Sequence, residues 1–250
     1  MKFLGIKIDN LNRQDALIKA FNFFANESQC VIYTPNPEII VDSHKDSYLA
    51  KVLNTGDINI CDGVGLQMAI LLKQGIKIKR LAGVDFMLAM CQKASISGKT
   101  VFLLGSDNDK VVSRVATNLK NKFGNLKIVG ISPGPRISIK DDALIMDHAE
   151  NSEIIAQINS APPDILFVAF GHNKQEKWIF ENISKIPCVK IVMAVGGSFD
   201  FISGHVTRAP LWIRKIGLEW LFRLFIQPRR ILRILKATII FIILCCQAKQ

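Results

Sequence analysis

Short apolar runs alternate with amphipathic stretches along most of this 250-residue chain. Residues 165–170 are continuously apolar, which is typical of a strand buried on both faces of a parallel sheet. Comparable runs occur at residues 31–33, 58–61, 101–104, 126–131 and 189–195, and a short strand is predicted over residues 3–8. Strands that alternate with helices predict an α/β fold with a doubly wound, mostly parallel, Rossmann-like sheet.

Helical periodicity fills the intervals between these runs. The spacing of apolar residues predicts helices over residues 13–25, 66–72, 110–122 and 142–159. Asn36 precedes Pro37 and is expected to cap a helix that starts there, because proline suits the first helical position. Asp85 and Asn173 are expected to cap two further helices.

The pattern changes near residue 206. From there Trp, Leu and Phe residues are interleaved with arginines at helical spacing, which is typical of a helix that lies in a membrane interface. The apolar stretch at residues 237–246 is shorter than the roughly 18 residues that a membrane-spanning helix needs. We therefore predict a catalytic domain over residues 1–205 and a helical, membrane-associating appendage over residues 206–250. Helices that simply pack on the domain, with solvated charges, remain the alternative.

The formal net charge of +11 calls for an anionic partner. Residues 208–236 contain eight basic residues and one acidic residue, so most of the excess charge lies in the appendage. Because these cations share their helices with Trp, Leu and Ile, an anionic membrane surface or a lipid-linked phosphate fits better than nucleic acid. The six cysteines show no metal-ligand spacing, and the N-terminus turns polar too early for a signal peptide, which together predict a cytosolic protein with reduced thiols.

Polar groups follow four of the predicted strands. Thr34 and Asn36 follow the run at residues 31–33, and Asp62 follows the run at residues 58–61. Two glycine-containing loops, residues 171–175 and 196–200, follow the last two strands. The carboxyl ends of parallel strands share one edge of the sheet, where ligands bind in open α/β folds. Asp62 in that position can act as a general base if it reaches a hydroxyl proton, although a role as a helix cap is the simpler alternative.

Two other motifs suggest competing chemistry. Gly63-Val-Gly-Leu-Gln-Met68 nearly matches the dinucleotide-binding fingerprint, and Asp85 lies at the distance expected of the ribose-binding acid. Met68 replaces the third glycine, so an NAD(P)-dependent oxidoreductase is the weaker hypothesis, beside a non-catalytic membrane-binding module. Asp107 and Asp109 form an Asp-x-Asp pattern, but we interpret them as a helix start and predict no metal site.

Taken together, the motifs resemble the WecG/TagA/CpsF family of bacterial glycosyltransferases. The matching stretches occur in family order between about residues 3 and 233: Thr34-Pro-Asn-Pro-Glu, Asp62-Gly, Arg80-Leu-Ala-Gly-Val-Asp, Leu103-Leu-Gly, Pro163-Asp-Ile-Leu-Phe-Val-Ala-Phe-Gly, Lys174-Gln-Glu-Lys-Trp, Val195-Gly-Gly-Ser-Phe-Asp, Arg208-Ala-Pro, Gly217-Leu-Glu-Trp-Leu-Phe-Arg and Pro228-Arg-Arg. The chain departs from the family pattern at His172 and Asn173, where many relatives have Ser and Pro.

The resemblance implies an inverting, metal-independent transfer of a sugar from a UDP-sugar to an undecaprenyl-pyrophosphate-linked sugar. Such a reaction is a step in the biosynthesis of cell-surface polysaccharide or teichoic acid, and it takes place at the inner face of the cytoplasmic membrane. No cofactor is expected. N-acetylmannosamine, its uronic acid and glucose all remain open as the sugar, and a homo-oligomer is compatible with the resemblance.

By the same analogy Asp62 is the base, while Thr34 and Gln175 help to position donor and acceptor. The C-terminal arginines would close over the pyrophosphate. The predicted substrate-binding residues are Asn36, Arg80, Gly105, Gly171, Lys174, Gly196, Gly197, Asp200, Arg208, Arg214, Arg223, Arg229 and Arg230.

Overall fold

The computed structural model describes residues 1–26, 28–106, 108–226 and 231–247, without the side chains of residues 223, 224, 231–233 and 236. The described strands are β1 (Lys2–Phe3), β2 (Ile6–Lys7), β3 (Cys30–Tyr33), β4 (Ile58–Asn59), β5 (Thr100–Gly105), β6 (Lys127–Ser132), β7 (Ile137–Lys140), β8 (Ala143–Met146), β9 (Ile165–Ala169) and β10 (Ile191–Ala194). Six of them form one parallel sheet in the order β4-β3-β10-β9-β5-β6. The prediction of a doubly wound, parallel α/β fold is confirmed.

Helices cover both faces of this sheet. They are α1 (Arg13–Asn22), α2 (Pro37–Lys45), α3 (Ser47–Asn54), α4 (Val64–Gln74), α5 (Gly83–Ser97), α6 (Asp109–Lys122), α7 (His148–Ser160), α8 (Lys174–Asn182), α9 (Ser198–Ile202), α10 (Leu211–Lys215), α11 (Glu219–Ile226) and α12 (Ile231–Gln247). The cap predicted at Asn36 is confirmed, since its side chain accepts a hydrogen bond from the amide of Ile39 at 3.0 Å.

The central strands are apolar at every position because both of their faces are covered. In β9, Leu166 and Val168 belong to one core cluster, whereas Ile165 and Phe167 belong to the cluster on the opposite face. All five residues of β9 and all four of β10 are buried. Two cores on either side of one sheet therefore explain the continuous apolar runs in the sequence.

Two predicted elements are corrected by antiparallel hairpins. The single strand expected over residues 3–8 is the hairpin β1–β2, which turns at Leu4 and Gly5 with φ of 46° and 80°. The helix expected over residues 142–159 starts only at His148, because β7 and β8 pair around Asp141 and Asp142. Both aspartates have positive φ (48° and 60°), as a two-residue hairpin turn with the twist of its strands requires.

Asp164, which directly precedes β9, connects β9 to both of its neighbouring strands at the amino edge of the sheet. Asp164 accepts hydrogen bonds from the amide of Thr100 (2.8 Å) and from the ammonium group of Lys99 (3.0 Å), and its backbone carbonyl accepts one from Ile191 (3.0 Å). Burial by itself would raise the pKa of Asp164, but the hydrogen bonds from Thr100 and Lys99 hold that pKa below its usual value. Asp164 therefore contributes to stability above the carboxyl's ordinary pKa, and the contribution is lost as the pH falls through the lowered pKa.

The C-terminal helices pack against the domain. Helix α12 lies along α2, and its Phe241 and Cys245 are buried in the same core cluster as residues of β1 and α2. The ring centroids of Phe241 and Phe3 are 6.3 Å apart. In the part of the chain that the structure describes, no helix has the length and apolarity needed to cross a membrane. The boundary at residues 205–206 stays a prediction.

A buried ion pair joins α3, α8 and the β7–β8 hairpin. The ammonium group of Lys177 is fully buried, contacts the Asp46 carboxylate, and donates to the carbonyl oxygen of Asp142 at 2.6 Å. Asp46 also caps α3 by accepting from the amide of Leu49 at 2.8 Å. Because both charges are removed from water, each depends on the other for compensation.

We expect Lys177→Met to lower the free energy of unfolding by about 3–5 kcal/mol, because it leaves the Asp46 carboxylate buried without its cation. Adding Asp46→Asn should recover much of the loss, since asparagine can still cap α3. Lys120→Met, at an exposed position of α6, is the matched control and should change stability by less than about 0.5 kcal/mol. Urea denaturation measures all three, and a loss below about 1 kcal/mol for Lys177→Met would contradict the buried pair.

Candidate active site

The candidate site lies at the carboxyl edge of the sheet, where four neighbouring strands end. In spatial order these are β4, β3, β10 and β9, which lead into Asp62, Thr34, Gly196 and the loop before Gln175. The prediction that these strand ends share one edge is therefore confirmed. Their adjacency is a property of the strand order, which brings together residues more than 130 positions apart.

Asp62 is directed toward the start of α5. Its Oδ2 accepts a hydrogen bond from the amide of Gly83, the first residue of α5, at 3.3 Å. It does not cap α4, the helix that follows it, because Gly63 holds that N-cap position with a φ of 92° and no side-chain bond. The simpler alternative, a cap for the following helix, is thus wrong, and the carboxylate is placed at the positive end of a different helix.

The environment of Asp62 opposes ionisation. Burial raises the pKa of this carboxyl from 3.8 to about 6, and the negative charge of Glu219 adds to the rise. The Gly83 hydrogen bond and the charges of Arg80 and Arg208 act in the opposite direction but are weaker than burial. A carboxylate with a pKa of about 6 is ionised at neutral pH and is a stronger base than an exposed aspartate.

Thr34 and Gly83 surround the same carboxylate. A Cβ atom built on Gly83 would lie 3.4 Å from Thr34 Cγ2 and 3.6 Å from Asp62 Oδ2. The methyl face of Thr34 and the carboxylate of Asp62 therefore border the space above the Gly83 backbone. A side chain at position 83 would occupy that space, so the glycine keeps the approach to Asp62 open.

Gln175 joins two of the site loops. Its Oε1 accepts from the amide of Gly196 at 2.9 Å, and its Nε2 donates to Oε1 of Glu176 at 2.8 Å. Gln175 and Glu176 are both 2% exposed, and burial raises the pKa of the Glu176 carboxyl. In this arrangement Gln175 shapes the Gly196 loop. Sequence reasoning missed Glu176, although a glutamate three residues after a helix start is a recognised capping pattern.

The loop before α8 differs from expectation at Asn173. This residue occupies the N-cap position, but its φ is 70° and its side chain makes no capping bond, so the predicted cap is wrong. His172, where the chain departs from the family pattern, is half-buried, and its Nε2 lies 2.8 Å from Oδ2 of Asp42 on α2. Lys174 is directed toward the β7–β8 hairpin, with its Nζ 3.4 Å from the carbonyl oxygen of Ile137.

A network of arginines and carboxylates closes the site on the C-terminal side. Arg208 forms a two-pronged ion pair with Asp85, at 2.7 and 2.8 Å, and its Nε donates to Glu219 at 2.9 Å. Arg214 lies 3.6 Å from the same Asp85 carboxylate, and Arg80 donates to the backbone carbonyl of Arg214 at 2.7 Å. Burial would raise the pKa of Asp85, but the hydrogen bonds and charge of Arg208 hold it below its usual value.

This network corrects the role assigned to Asp85. The residue is the third of α5, whose N-cap is Ala82, so it does not cap the helix as predicted. Instead it attaches Arg208 and Arg214 beside Asp62. A second contact lies at Gly217, where a Cβ atom would come within 2.9 Å of Val64 at the start of α4. The segment after residue 206 is therefore packed directly against the site.

The remaining predicted residues fall into three groups. Gly171 and Gly197 lie in the loops that border the site, and Asp200 is in the first turn of α9. Gly105 ends β5, which is separated by two strands from β3 and Thr34, and a Cβ atom on Gly105 would lie 2.6 Å from the backbone of Ala169. The Arg223 side chain, Arg229 and Arg230 lie outside the described residues.

No metal centre is evident in the described ranges, which contain no group of three or more His, Cys, Asp or Glu residues that could hold an ion. Asn108 caps α6 by accepting from the amide of Lys110 at 2.9 Å, and Asp109 lies in the first turn of that helix. Asp107, which we expected to belong to this helix start, lies outside the described residues. Met68, the residue that breaks the dinucleotide fingerprint, is exposed on α4.

Comparison with known proteins gives a consistent result. The model of the glycosyl transferase WecG/TagA/CpsF family matches residues 1–250. An "N-acetylglucosaminyldiphosphoundecaprenol N-acetyl-beta-D-mannosaminyltransferase" of Bacillus subtilis (strain 168) is 35% identical over 205 residues, which are 82% of this chain and 75% of the relative. A protein of the same name from Staphylococcus aureus (strain COL) is 30% identical over 250 residues, which are 99% of this chain and 92% of the relative.

We expect Asp62→Asn to stabilise the protein at neutral pH. Above pH 6 wild-type Asp62 is ionised in both the folded and unfolded states, and burial penalises the folded one; below about pH 4 it is protonated in both. The variant should therefore be more stable than wild type by up to about 3 kcal/mol at pH 7–8, and this gain should disappear between pH 6 and pH 4.

Denaturant titrations at several pH values measure this difference. Glu153→Gln, at an exposed position of α7, is the matched control and should show no comparable pH-dependent gain. A variant that is no more stable than wild type at pH 8 would show that Asp62 is not held in the environment described here.

Proposed function

This chain belongs to the WecG/TagA/CpsF family of glycosyltransferases, and from that premise we propose that it transfers N-acetylmannosamine from a UDP-sugar to undecaprenyl-diphosphate-linked N-acetylglucosamine. The names of the Bacillus and Staphylococcus relatives support this choice of sugar and acceptor over the uronic acid and glucose. The product would be a precursor of a cell-surface polymer made at the inner face of the cytoplasmic membrane.

The observation that carries the proposal is the position and basicity of Asp62. Its carboxylate removes a proton from the attacking hydroxyl of the acceptor sugar as that oxygen forms a bond to the anomeric carbon of the donor. The bond between the anomeric carbon and the UDP oxygen breaks in the same step, so the configuration at that carbon inverts. A hydroxyl is a poor nucleophile until a base accepts its proton, and a pKa of about 6 suits that task at neutral pH.

The departing UDP carries the negative charge that develops in this step. Arg80 and Arg208 lie close enough to Asp62 to influence its pKa, and Arg214 shares the Asp85 carboxylate with Arg208. The start of α5 adds the partial positive charge of a helix N-terminus. Guanidinium groups and backbone amides of this kind stabilise pyrophosphate oxygens. Thr34 and the Gly196 loop, which Gln175 supports, would hold the sugars over Asp62.

The direct test is a transfer assay. The protein is given a panel of UDP-sugars with a lipid-diphosphate N-acetylglucosamine acceptor, and UDP release and the disaccharide product are measured. Product should form with UDP-N-acetylmannosamine and should persist in EDTA, because we predict no metal site. Release with another sugar alone would change the substrate, whereas no release with any sugar would overturn the proposal.

Asp62→Asn should reduce turnover roughly 10²–10⁴-fold, because the amide cannot accept the hydroxyl proton. UDP binding, measured by calorimetry, should be retained. For the wild-type protein kcat/KM should fall below pH 6, about tenfold per pH unit, since only ionised Asp62 is active. Glu153→Gln serves again as the surface control. Near-normal turnover by a folded Asp62→Asn protein would exclude this role.

We further propose that the C-terminal helices hold the enzyme on the membrane that carries its acceptor. Helices α10 and α11 expose large apolar side chains, including Leu211, Trp212 and Phe225, and α12 exposes Ile239 and Ile242 on the side opposite its buried Phe241. The surrounding sequence is rich in arginine. Apolar side chains among cations suit the interface of a bilayer that contains anionic lipids.

Leu211→Ser combined with Trp212→Ser should weaken binding to phosphatidylglycerol-containing vesicles at least about tenfold, because it removes two exposed apolar side chains from the surface proposed to bind the membrane. Turnover with a soluble, short-chain acceptor should change little. Ile18→Ser, which alters an exposed residue of α1, is the control. Vesicle sedimentation measures binding, and a double variant that still binds like wild type would show that α10 does not contact the membrane.

A further inference from the structure

Helix α4 exposes an apolar face that the reaction does not explain. Its inner side, with Leu66 and Ile70, is buried in the core, whereas Met68, Leu71 and Leu72 are exposed on the outside. Leu72 is 76% exposed, and the face continues into Ile76 after the helix ends. These neighbouring apolar side chains form an exposed row along α4, and an exposed apolar patch of this kind is typical of an interaction surface.

The charge around this face has one sign. Residues 63–84 contain three lysines, one arginine and no acidic residue. Lys73 lies within the helix, and Lys77 and Lys79 are exposed immediately after it. Lysines carry their charge on long apolar stems, so they can border an apolar surface while reaching toward phosphate groups.

The face adjoins the C-terminal helices at both ends of α4. At its start, Val64 is packed against Gly217, which lies between α10 and α11. Near its end, Gln74 donates to the backbone carbonyl of Lys2 at 3.0 Å, next to the residue that packs on Phe241 of α12. Lys73 is also close enough to Cys245 of α12 to counter the rise in the pKa of that thiol.

We propose that α4 and the loop after it, residues 64–79, form a second contact with an anionic phospholipid bilayer, beside the C-terminal one. This second contact deepens the proposed function. Its biological role rests on the proposed sugar transfer, whereas the contact itself rests on the surface of α4. An apolar row accompanied by lysines, in a stretch of sequence (residues 63–84) without an acidic residue, complements a phospholipid interface.

The position of α4 links this contact to the chemistry. The helix starts two residues after Asp62 and extends about 16 Å from it, at 1.5 Å per residue. With α4 on the bilayer, the base would lie at the height of the lipid headgroups. A sugar on a lipid-linked diphosphate could then reach Asp62 while its lipid chain remained in the membrane.

The test compares two exposed apolar sites in the full-length protein. Leu71→Ser/Leu72→Ser removes two exposed leucines of the α4 face. Ile96→Ser, 75% exposed near the end of α5, which packs on the opposite face of the sheet, is the matched control. Vesicles of phosphatidylcholine, with and without phosphatidylglycerol, serve as probes. The α4 variant should bind the anionic vesicles at least about tenfold more weakly, and Ile96→Ser should bind like wild type.

Further measurements separate the alternatives. Lys77→Gln/Lys79→Gln should reduce the dependence of binding on phosphatidylglycerol and on salt. Unchanged vesicle binding by the α4 variant would overturn the proposal. If the wild-type protein is also a dimer in sedimentation velocity and the variant is not, the α4 face binds a second copy of the chain instead of the bilayer. Vesicle binding requires no donor or acceptor, so failure of sugar transfer alone would reject the proposed reaction and leave this result intact.

Discussion

The parallel pairing of six strands is the constraint on which the site depends. Because every strand of the sheet runs in the same direction, all of its carboxyl ends lie at one edge, and each loop that leaves this edge carries its polar residues there. Strands β3 and β9 flank β10, so loops from distant parts of the chain become neighbours. At the opposite edge Asp164, which directly precedes β9, forms hydrogen bonds to the two neighbouring strands β5 and β10. One end of the sheet therefore serves stability, and the other end carries the candidate site.

The buried carboxylate of Asp62 at the carboxyl edge lowers the stability of the folded state. Burial raises the pKa of Asp62 to about 6, so the ionised form needed by a base is the form that the folded state disfavours. The bond from Gly83 and the nearby arginines reduce this cost without removing it. The same burial that makes the ionised carboxylate unfavourable in the folded state also makes it more basic. Functional sites often combine lower stability with higher reactivity in this way.

The C-terminal segment belongs to the site as much as to the surface. Asp85 holds Arg208 with two hydrogen bonds, and Glu219 both contacts Arg208 and contributes to the raised pKa of Asp62. A change in the position of this segment would therefore alter the charge around the base. If the segment and α4 both rest on the bilayer, membrane attachment and the electrostatics of Asp62 are coupled through the same few side chains.

Several properties of this protein could be predicted from the sequence alone. Continuous apolar runs between amphipathic helices predicted the parallel sheet, because a strand buried on both faces leaves no room for alternation. Asp62, Thr34 and Gln175 could be assigned to one edge because Asp62 and Thr34 directly follow such runs and Gln175 lies in the loop that follows another. The ordered motifs were sufficient to predict the family, and Asn36 before Pro37 predicted a cap that depends only on local geometry.

Other properties were decided only by the tertiary structure. Strand β8 was predicted as the start of a helix, but residues 137–140 and 143–146 pair around a two-residue turn, and Lys177 of α8 donates to the Asp142 carbonyl in that turn. Asp85 was expected to cap α5 but pairs with Arg208, 123 positions away. The orientation of Asp62, its raised pKa and the hydrogen bond that Gln175 accepts from the Gly196 amide likewise depend on burial and on partners from other parts of the chain. Local sequence specifies backbone preference, but burial and long-range pairing arise only when the elements pack.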